Sequence, residues 1–262
     1  MENPLLPAAP EPLSRDAPLL AGRILFRQSW NDLVFLHWPV DPGDVAHLFP
    51  AGTRPDVVDG ATYVGLVYFQ MRRLALGVGP ALPLIGTFTE INVRLYSVDA
   101  EGRRGVVFRT LDCERILPTA VARSVWGLPY RWAATRKMHF GDRILYTTRR
   151  RQPGGPTSRV WAATSPQRRP SGPLDDFLTA RWGLHARAWG STYFWPVDHA
   201  AWTFQDVSLL FHDDDLVEAS TGLRVAHGMP ASVLYSPGVR VRFGTPRRLR
   251  EVGAAPGLLS RP

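Results

Sequence analysis

The segment TFTEINVRLYSVDAEGRRGVVFRTLDCERI, residues 87–116, constrains the fold more than any other part of the chain. Two runs rich in strand formers flank a turn containing Gly102 and Gly105, the pattern of a β-hairpin. Side chains alternate faces along a strand with period two. Phe88, Glu90, Asn92, Arg94 and Tyr96 therefore share one face of the first run, while Ile91, Val93 and Leu95 take the other. The apolar face belongs in a core. The polar row then has two readings. It is a solvated face with a weak Glu90–Arg94 pair, or it is the wall of a cavity in which a carboxylate and a guanidinium orient a polar ligand. In the cavity, burial raises the Glu90 pKa and makes the residue a usable proton carrier.

The remaining chain repeats the strand signal. Residues 33–38, the run from Asp59-Gly60 through Phe69, MHFGDRILYTTRR, RVWAATSP, STYFWPVDHAAWTFQDVSLLF and SVLYSPGVRVRFG all read as strands bounded by turns. Helices are few. DPGDVAHLFPAG predicts a short one capped by Asp41 with Pro42 at its first position. PTAVARSVWG predicts another, capped by Thr119 and closed by Gly127 before Pro129. PLDDFLTARWG predicts a third, from about Pro173 to Gly183, burying Leu174, Phe177, Leu178 and Trp182. Many short strands, few helices and frequent Gly/Pro turns predict a mainly β fold, a sandwich or barrel of antiparallel sheets. There is no internal repeat and no linker long enough to separate one domain from another. The expected organisation is a disordered leader over 1–22, one β domain over 23–250 and a loose tail over 251–262.

Several function classes have no support. The net charge of +8 comes largely from scattered arginines, with clusters beside turns or near the terminus, so no nucleic-acid partner is expected. No run approaches the roughly 18 apolar residues of a membrane span. The proline-cut start lacks the basic region of a signal peptide, so a cytoplasmic protein without membrane contact is expected. Cys113 stands alone in a strand-like run and reads as a packing residue. GVG in the loop near residue 78 has the wrong spacing for a dinucleotide fingerprint, and no GxSxG, Walker or HExxH motif occurs. The acidic HDDDL at 212–216 lacks calcium-loop spacing and reads as a hairpin turn. No metal and no cofactor are expected.

The stretches SWNDLVFLHWPV, VDGATYVGLVYFQM, GTFTEINVRLY, GVVFRTLD, ARSVWGLPY and DDFLTARWGLH, followed by VLYSPGVRVRFG, resemble in content and order the YqjF-like family of uncharacterised bacterial proteins. The resemblance spans roughly Trp30 to Gly244. That family resembles a branch of the acetoacetate-decarboxylase-like superfamily. The implied fold is a pseudobarrel of two antiparallel sheets around a central cavity, with short helices outside. The superfamily pattern maps its strand glutamate onto Glu90, its helix arginine onto Arg123 and its Gly–Pro turn onto WGLP. Where the decarboxylases carry a pair of lysines, one of which forms the Schiff base, this chain has Tyr130 and Arg131. Neither forms an imine. The superfamily's glutamate on the preceding strand is absent from LVYFQ, residues 66–70. Lys137, the only lysine, lies seven residues past Tyr130 and is expected on the surface.

The resemblance therefore implies a cavity that binds a small polar or oxo-acid-like molecule without Schiff-base decarboxylation. Asn92, Arg94, Arg123, Tyr68 and His37 are the expected ligand contacts. The alternative is a cofactor-independent lyase or isomerase in which Glu90 moves the proton and Tyr130 and Arg131 polarise a carbonyl. A small molecule is the expected partner, and a homo-oligomer is left open.

Overall fold

The computed structural model describes residues 8–83, 86–115 and 127–250. Thirteen strands among them form one sheet: β1 (Phe26–Val40), β2 (Thr53–Pro55), β3 (Thr62–Leu76), β4 (Phe88–Asp99), β5 (Arg104–Cys113), β6 (Tyr130–Phe140), β7 (Arg143–Arg150), β8 (Thr157–Arg169), β9 (Gly183–Ala188), β10 (Ser191–His199), β11 (Phe204–Asp214), β12 (Ser232–Phe243) and β13 (Arg247–Arg248). The order is β13-β10-β9-β5-β6-β7-β8-β11-β12-β1-β3-β4-β2, with further pairings of β10 to β12 and β5 to β4. Pairing is antiparallel except where β5 runs parallel to β6 and to β9.

Those extra pairings close the sheet twice. One ring runs through β1, β3, β4, β5, β9, β10 and β12. The other leaves β5 through β6, β7, β8 and β11 and returns to β12. Strands β12, β1, β3, β4 and β5 belong to both rings, so β4 is buried along its whole length. The second ring is filled by side chains, among them Leu66, Tyr68, Ile91, Val93, Leu95 and Tyr146. The first ring contains a cavity. The mainly β fold expected from the sequence is observed, but as one doubly closed sheet in place of two separate ones.

Two bulges decide which residues reach the first ring. On β1, register against β3 shifts between Asn31 and Val34, and Asp32 between them has φ 55°. On β3 it shifts opposite Arg27–Ser29, where Arg73 has φ 57°. An extra residue in one strand reverses the side-chain alternation beyond it. Trp30 faces the cavity before the β1 bulge, and Leu33 and Phe35 face it after; on β3, Val67, Phe69 and Met71 give way to Leu74 and Leu76. Asp32 is held by three partners. Its carbonyl accepts from the Tyr146 hydroxyl (2.7 Å), its Oδ1 accepts from Tyr235 (3.1 Å), and its Oδ2 pairs with Lys137 Nζ.

Short helices sit outside the strands. Pro42–Val45 has Asp41 as its N-cap, whose side chain accepts from the Gly43 amide (2.6 Å), as the sequence predicts. Pro173–Thr179 starts at the predicted proline and ends before the predicted Gly183, because Ala180 leaves helical geometry at ψ 73°. The predicted turn at HDDDL is instead the end of β11 followed by an unpredicted helix, Leu216–Thr221, whose C-cap Gly222 is left-handed at φ 79°. Asp214 there is buried and accepts from the Val217 amide (2.9 Å). The helix expected over PTAVARSVWG lies outside the described residues except for Gly127, which has the left-handed φ of 64° expected of a helix end.

The N-terminal segment from Ala8 is not the loose leader expected. Its proline-rich sequence forms no strand, but backbone hydrogen bonds tie Ala8 to Ala100 and Glu11 to Gly102. Arg104 donates to the Glu11 carbonyl (2.7 Å), and Arg15 pairs with Asp176 (2.8 Å). The tail over 251–262 lies outside the described residues.

Candidate functional site

The first ring encloses a cavity of about 320 Å³. Its wall is mostly hydrocarbon and aromatic: Phe26, Trp30, Leu33 and Phe35 from β1, Val67, Phe69, Met71, Leu74 and Leu76 from β3, Phe108 and Leu111 from β5, and Trp202 and Phe243. The polar lining side chains apart from the two indoles are Gln28, Glu90, Asn92, Arg94 and Tyr130. Three of these are the β4 row singled out by alternation. The strand is antiparallel to β3 without a shift from Met71↔Phe88 to Val64↔Leu95, so the row stays on one face. Its solvated reading does not hold: Glu90 is 2%, Asn92 3% and Arg94 9% exposed.

Glu90 and Tyr130 meet at the cavity. The Tyr130 hydroxyl donates to Glu90 Oε2 at 2.8 Å, and Asn92 Nδ2 lies 3.4 Å from Oε1. Parallel pairing of β6 onto the end of β5, with Leu111 opposite Tyr130, carries the phenol to β4. Burial raises the Glu90 pKa to about 7, against the opposing pull of the Tyr130 and Asn92 hydrogen bonds. The Tyr130 phenol is pushed well above its ordinary value, first by burial and then by the Glu90 charge. Near neutral pH the pair thus consists of a carboxyl that can hold or release a proton and a phenol that remains a donor. Asn92 Oδ1 and Trp30 Nε1 are buried without a hydrogen-bond partner among the described residues.

Arg94 differs from the other buried arginine. Arg181 pairs with Asp56. Arg94 has no carboxylate partner among the described residues: Nε donates to the Tyr96 hydroxyl (3.2 Å) and Nη2 to the Leu178 carbonyl (3.1 Å). The guanidinium also packs 5.5 Å from the ring centres of Phe35 and Tyr96. A buried cation bonded to neutral oxygens alone is electrostatically incomplete. Gly65, paired with Arg94 across β3, makes room for it: a Cβ there would stand 2.8 Å from Tyr96 Oη and 3.2 Å from Arg94 Cγ.

The remaining expected site residues fall elsewhere. Arg131 is exposed, because it follows inward-facing Tyr130 by one position on a strand; it does not polarise a group in the cavity. Tyr68 is fully buried but faces the filled ring, where its hydroxyl bonds Ser158 Oγ (2.6 Å). It is even-numbered on a stretch of β3 whose odd residues line the cavity. His37 lies one step beyond Phe35 and outside the cavity wall, 6.0 Å from the Tyr96 ring. Both its ring nitrogens are buried without partners among the described residues. Burial, reinforced by the charge of Arg94, lowers its pKa well below the usual histidine range, so it is neutral. Arg123 lies outside the described residues.

Lys137 is not the surface lysine expected. Its side chain is 6% exposed and ion-paired with Asp32, and it is not part of the cavity wall. The sequence reading also missed Trp30, Phe35, Gln28 and Trp202. The last is fixed by its Nε1 donating to the Thr179 carbonyl (2.9 Å). Only the aromatic richness of the chain hinted at the three aromatic ones, and nothing pointed to Gln28. Among the described residues no group of three or more His, Cys, Asp or Glu side chains is placed to hold a metal ion, and no helix is long and apolar enough to cross a membrane.

The sequence profile of DUF2071, described as an uncharacterised conserved protein, matches residues 27–240. The uncharacterised protein YqjF of Bacillus subtilis (strain 168) is 30% identical over 189 residues, covering 71% of this chain and 77% of that protein. Among solved structures, acetoacetate decarboxylase from Legionella pneumophila superposes with a TM-score of 0.60 at 13% identity, covering 90% of this chain and 92% of that one. The enduracididine biosynthesis enzyme MppR, complexed with the condensation product of pyruvate and imidazole 4-carboxaldehyde, gives 0.58 at 14% identity, covering 94% and 99%. At these identities the two structures share a fold with the chain.

Proposed function

The chain belongs to the DUF2071 family, and we propose that it binds a small organic acid in the first-ring cavity, with the acid's carboxylate on Arg94. The observation that carries this is the buried Arg94 without a carboxylate partner among the described residues, on the wall of an otherwise mostly apolar cavity. An anionic ligand supplies the missing counter-charge through a charge-assisted hydrogen bond, and the apolar wall takes its body. That acetoacetate decarboxylase and MppR share the fold, the latter bound to a pyruvate-derived product, is consistent with an oxo-acid ligand. The test is calorimetric titration of octanoate and of octanol into the wild type and Arg94→Met. The expected result is octanoate binding weakened about 100-fold by the substitution, the worth of a lost charged hydrogen bond, with octanol unaffected. Equal octanoate affinity in both proteins rejects the reading.

A second reading adds proton transfer, and Glu90 favours it. A carboxyl with pKa about 7, hydrogen-bonded to a neutral phenol inside a cavity, suits abstraction of a proton next to a carbonyl. Glu90 takes the proton as carboxylate. Tyr130 then turns its hydroxyl from the neutralised carboxyl to the developing enolate oxygen. No imine is involved, since Lys137 is tied to Asp32 away from the cavity wall. Deuterium exchange next to the carbonyl of 9-oxodecanoate, whose ketone is far enough from the carboxylate to reach Glu90, is followed by NMR and is expected in wild type and absent in Glu90→Gln. Exchange unchanged by Glu90→Gln removes the carboxyl from the chemistry.

A further inference from the structure

The register of β3 against β4 orders the cavity wall from end to end. Gly65 pairs with Arg94, Val67 with Asn92, Phe69 with Glu90 and Met71 with Phe88. Past Met71, the wall continues through Leu74 and Leu76, with Phe26 opposite Leu76 on β1. Polarity therefore falls in one direction. The guanidinium lies at the inner end, where it reaches further inward to Tyr96 and the Leu178 carbonyl. Asn92 and then Glu90 with Tyr130 follow on successive rungs. Beyond Glu90 the β3 and β4 side chains are hydrocarbon or aromatic, and Gln28 on β1 is the polar exception at that end. Leu76 is 55% exposed, so the apolar end is the one that meets solvent.

Length follows from the same register. Arg94 and Glu90 are four residues apart, about 13 Å along an extended strand. An acid of pyruvate or acetoacetate size held at Arg94 does not reach Glu90 or Phe69. It leaves most of an apolar cavity without contacts, and such space gains nothing from water. The cavity's 320 Å³ is about ten times the liquid volume of a water. A methylene occupies a similar volume, so one unbranched chain of about ten carbons fills it.

We infer that the ligand is a medium-chain acid, with its carboxylate at Arg94 and its chain running past Asn92 to end beside Glu90, Tyr130 and Phe69. This rests on the reading that Arg94 holds a carboxylate. Butanoate, hexanoate, octanoate and decanoate, each below its micelle concentration, are titrated calorimetrically into the full chain as wild type and Arg94→Met. Near-UV circular dichroism checks that the variant keeps its packing. The expected result is a dissociation constant falling about fourfold per added methylene, the gain for burying one CH2. Equal affinities along the series, all dependent on Arg94, overturn the chain-length inference while the carboxylate reading stands. Binding that is the same in wild type and Arg94→Met, or no binding of any of the four acids, overturns both.

Discussion

The two faces of β4 do opposite work within one strand. Ile91, Val93 and Leu95 point into a ring packed with side chains, against Tyr68, Ile144 and Tyr146. Glu90, Asn92 and Arg94, between and beside them in sequence, point into a ring left partly hollow. Both faces are buried, and only one is satisfied. The filled face has close-packed hydrocarbon, whereas the hollow face has a carboxyl with pKa about 7, an amide oxygen without a partner among the described residues and a guanidinium without a counter-ion there. Burial alone does not mark a core. On β4, what separates the two faces is whether their buried groups find complements among the described residues.

The sharpest way to break this contrast is to exchange neighbours across the strand. Ile91→Ala is expected to cost about 2–5 kcal/mol in urea unfolding, the usual range for a truncated core aliphatic residue. Glu90→Gln is expected to cost nothing at pH 8. A loss of the same size in both variants would erase the distinction.

Next in size is a pH dependence confined to the hollow face. The folded-state pKa of Glu90, about 7, lies above its ordinary 4.5, so the folded protein holds this proton more tightly than the unfolded chain. The contribution is fully present below the unfolded pKa and is lost as pH rises through about 7. Between pH 4.5 and 8 it amounts to about 3 kcal/mol. Buried Asp214, with pKa raised to about 6, acts with the same sign, so the informative quantity is the stability of wild type minus that of Glu90→Gln. That difference is expected to decline across the interval; a flat profile would put Glu90 in an ordinary solvated state.

Lys137→Met sharpens the contrast from the filled side. It removes the ion pair from Asp32, whose side chain is 23% exposed and keeps its Tyr235 hydrogen bond, and is expected to cost about 2 kcal/mol, discounted from a fully buried pair for that exposure. Borohydride with 2-oxooctanoate is expected to leave the mass of the wild-type protein unchanged. A reduced adduct lost in Lys137→Arg would return the lysine to the chemistry. The smallest expected effect is Tyr130→Phe. Without the phenol's hydrogen bond, which pulls it down, the Glu90 pKa rises above about 7, and the pH at which stability is lost moves upward. No movement would mean the 2.8 Å bond does not persist in solution.

The β4 face was legible because one alternation runs unbroken along β3, so counting in twos from Glu90 reaches Arg94 correctly. The same counting does not carry across a bulge. Asp32 and Arg73 each reverse the parity of a strand through one left-handed residue, and such a residue carries no signature in a run of strand formers. A count in twos along β1 would therefore put Trp30 and Phe35 on opposite faces, although both line the cavity. Tyr68 was misplaced for a different reason: both faces of β3 are buried, and apolar content cannot say which face borders a cavity. Tyr130 and Arg131 were assigned together, although consecutive strand residues point to opposite sides, and only the tyrosine turns inward. Lys137 looked superficial because its partner Asp32 stands 105 residues away in sequence. The helix after HDDDL was hidden by an acidic run that reads as a turn and in fact precedes the capped first turn.

The central claim is that Arg94 is held for a ligand and not for the fold, and Arg94→Met tests it with two readings from one sample. Urea unfolding of the ligand-free variant gives stability, and calorimetric titration of octanoate gives affinity. Removing a buried charge that has no counter-ion is expected to leave stability unchanged or raise it. Octanoate affinity is expected to fall about 100-fold. A variant that loses stability as Ile91→Ala does, yet binds octanoate like the wild type, would make Arg94 a structural residue and contradict the claim.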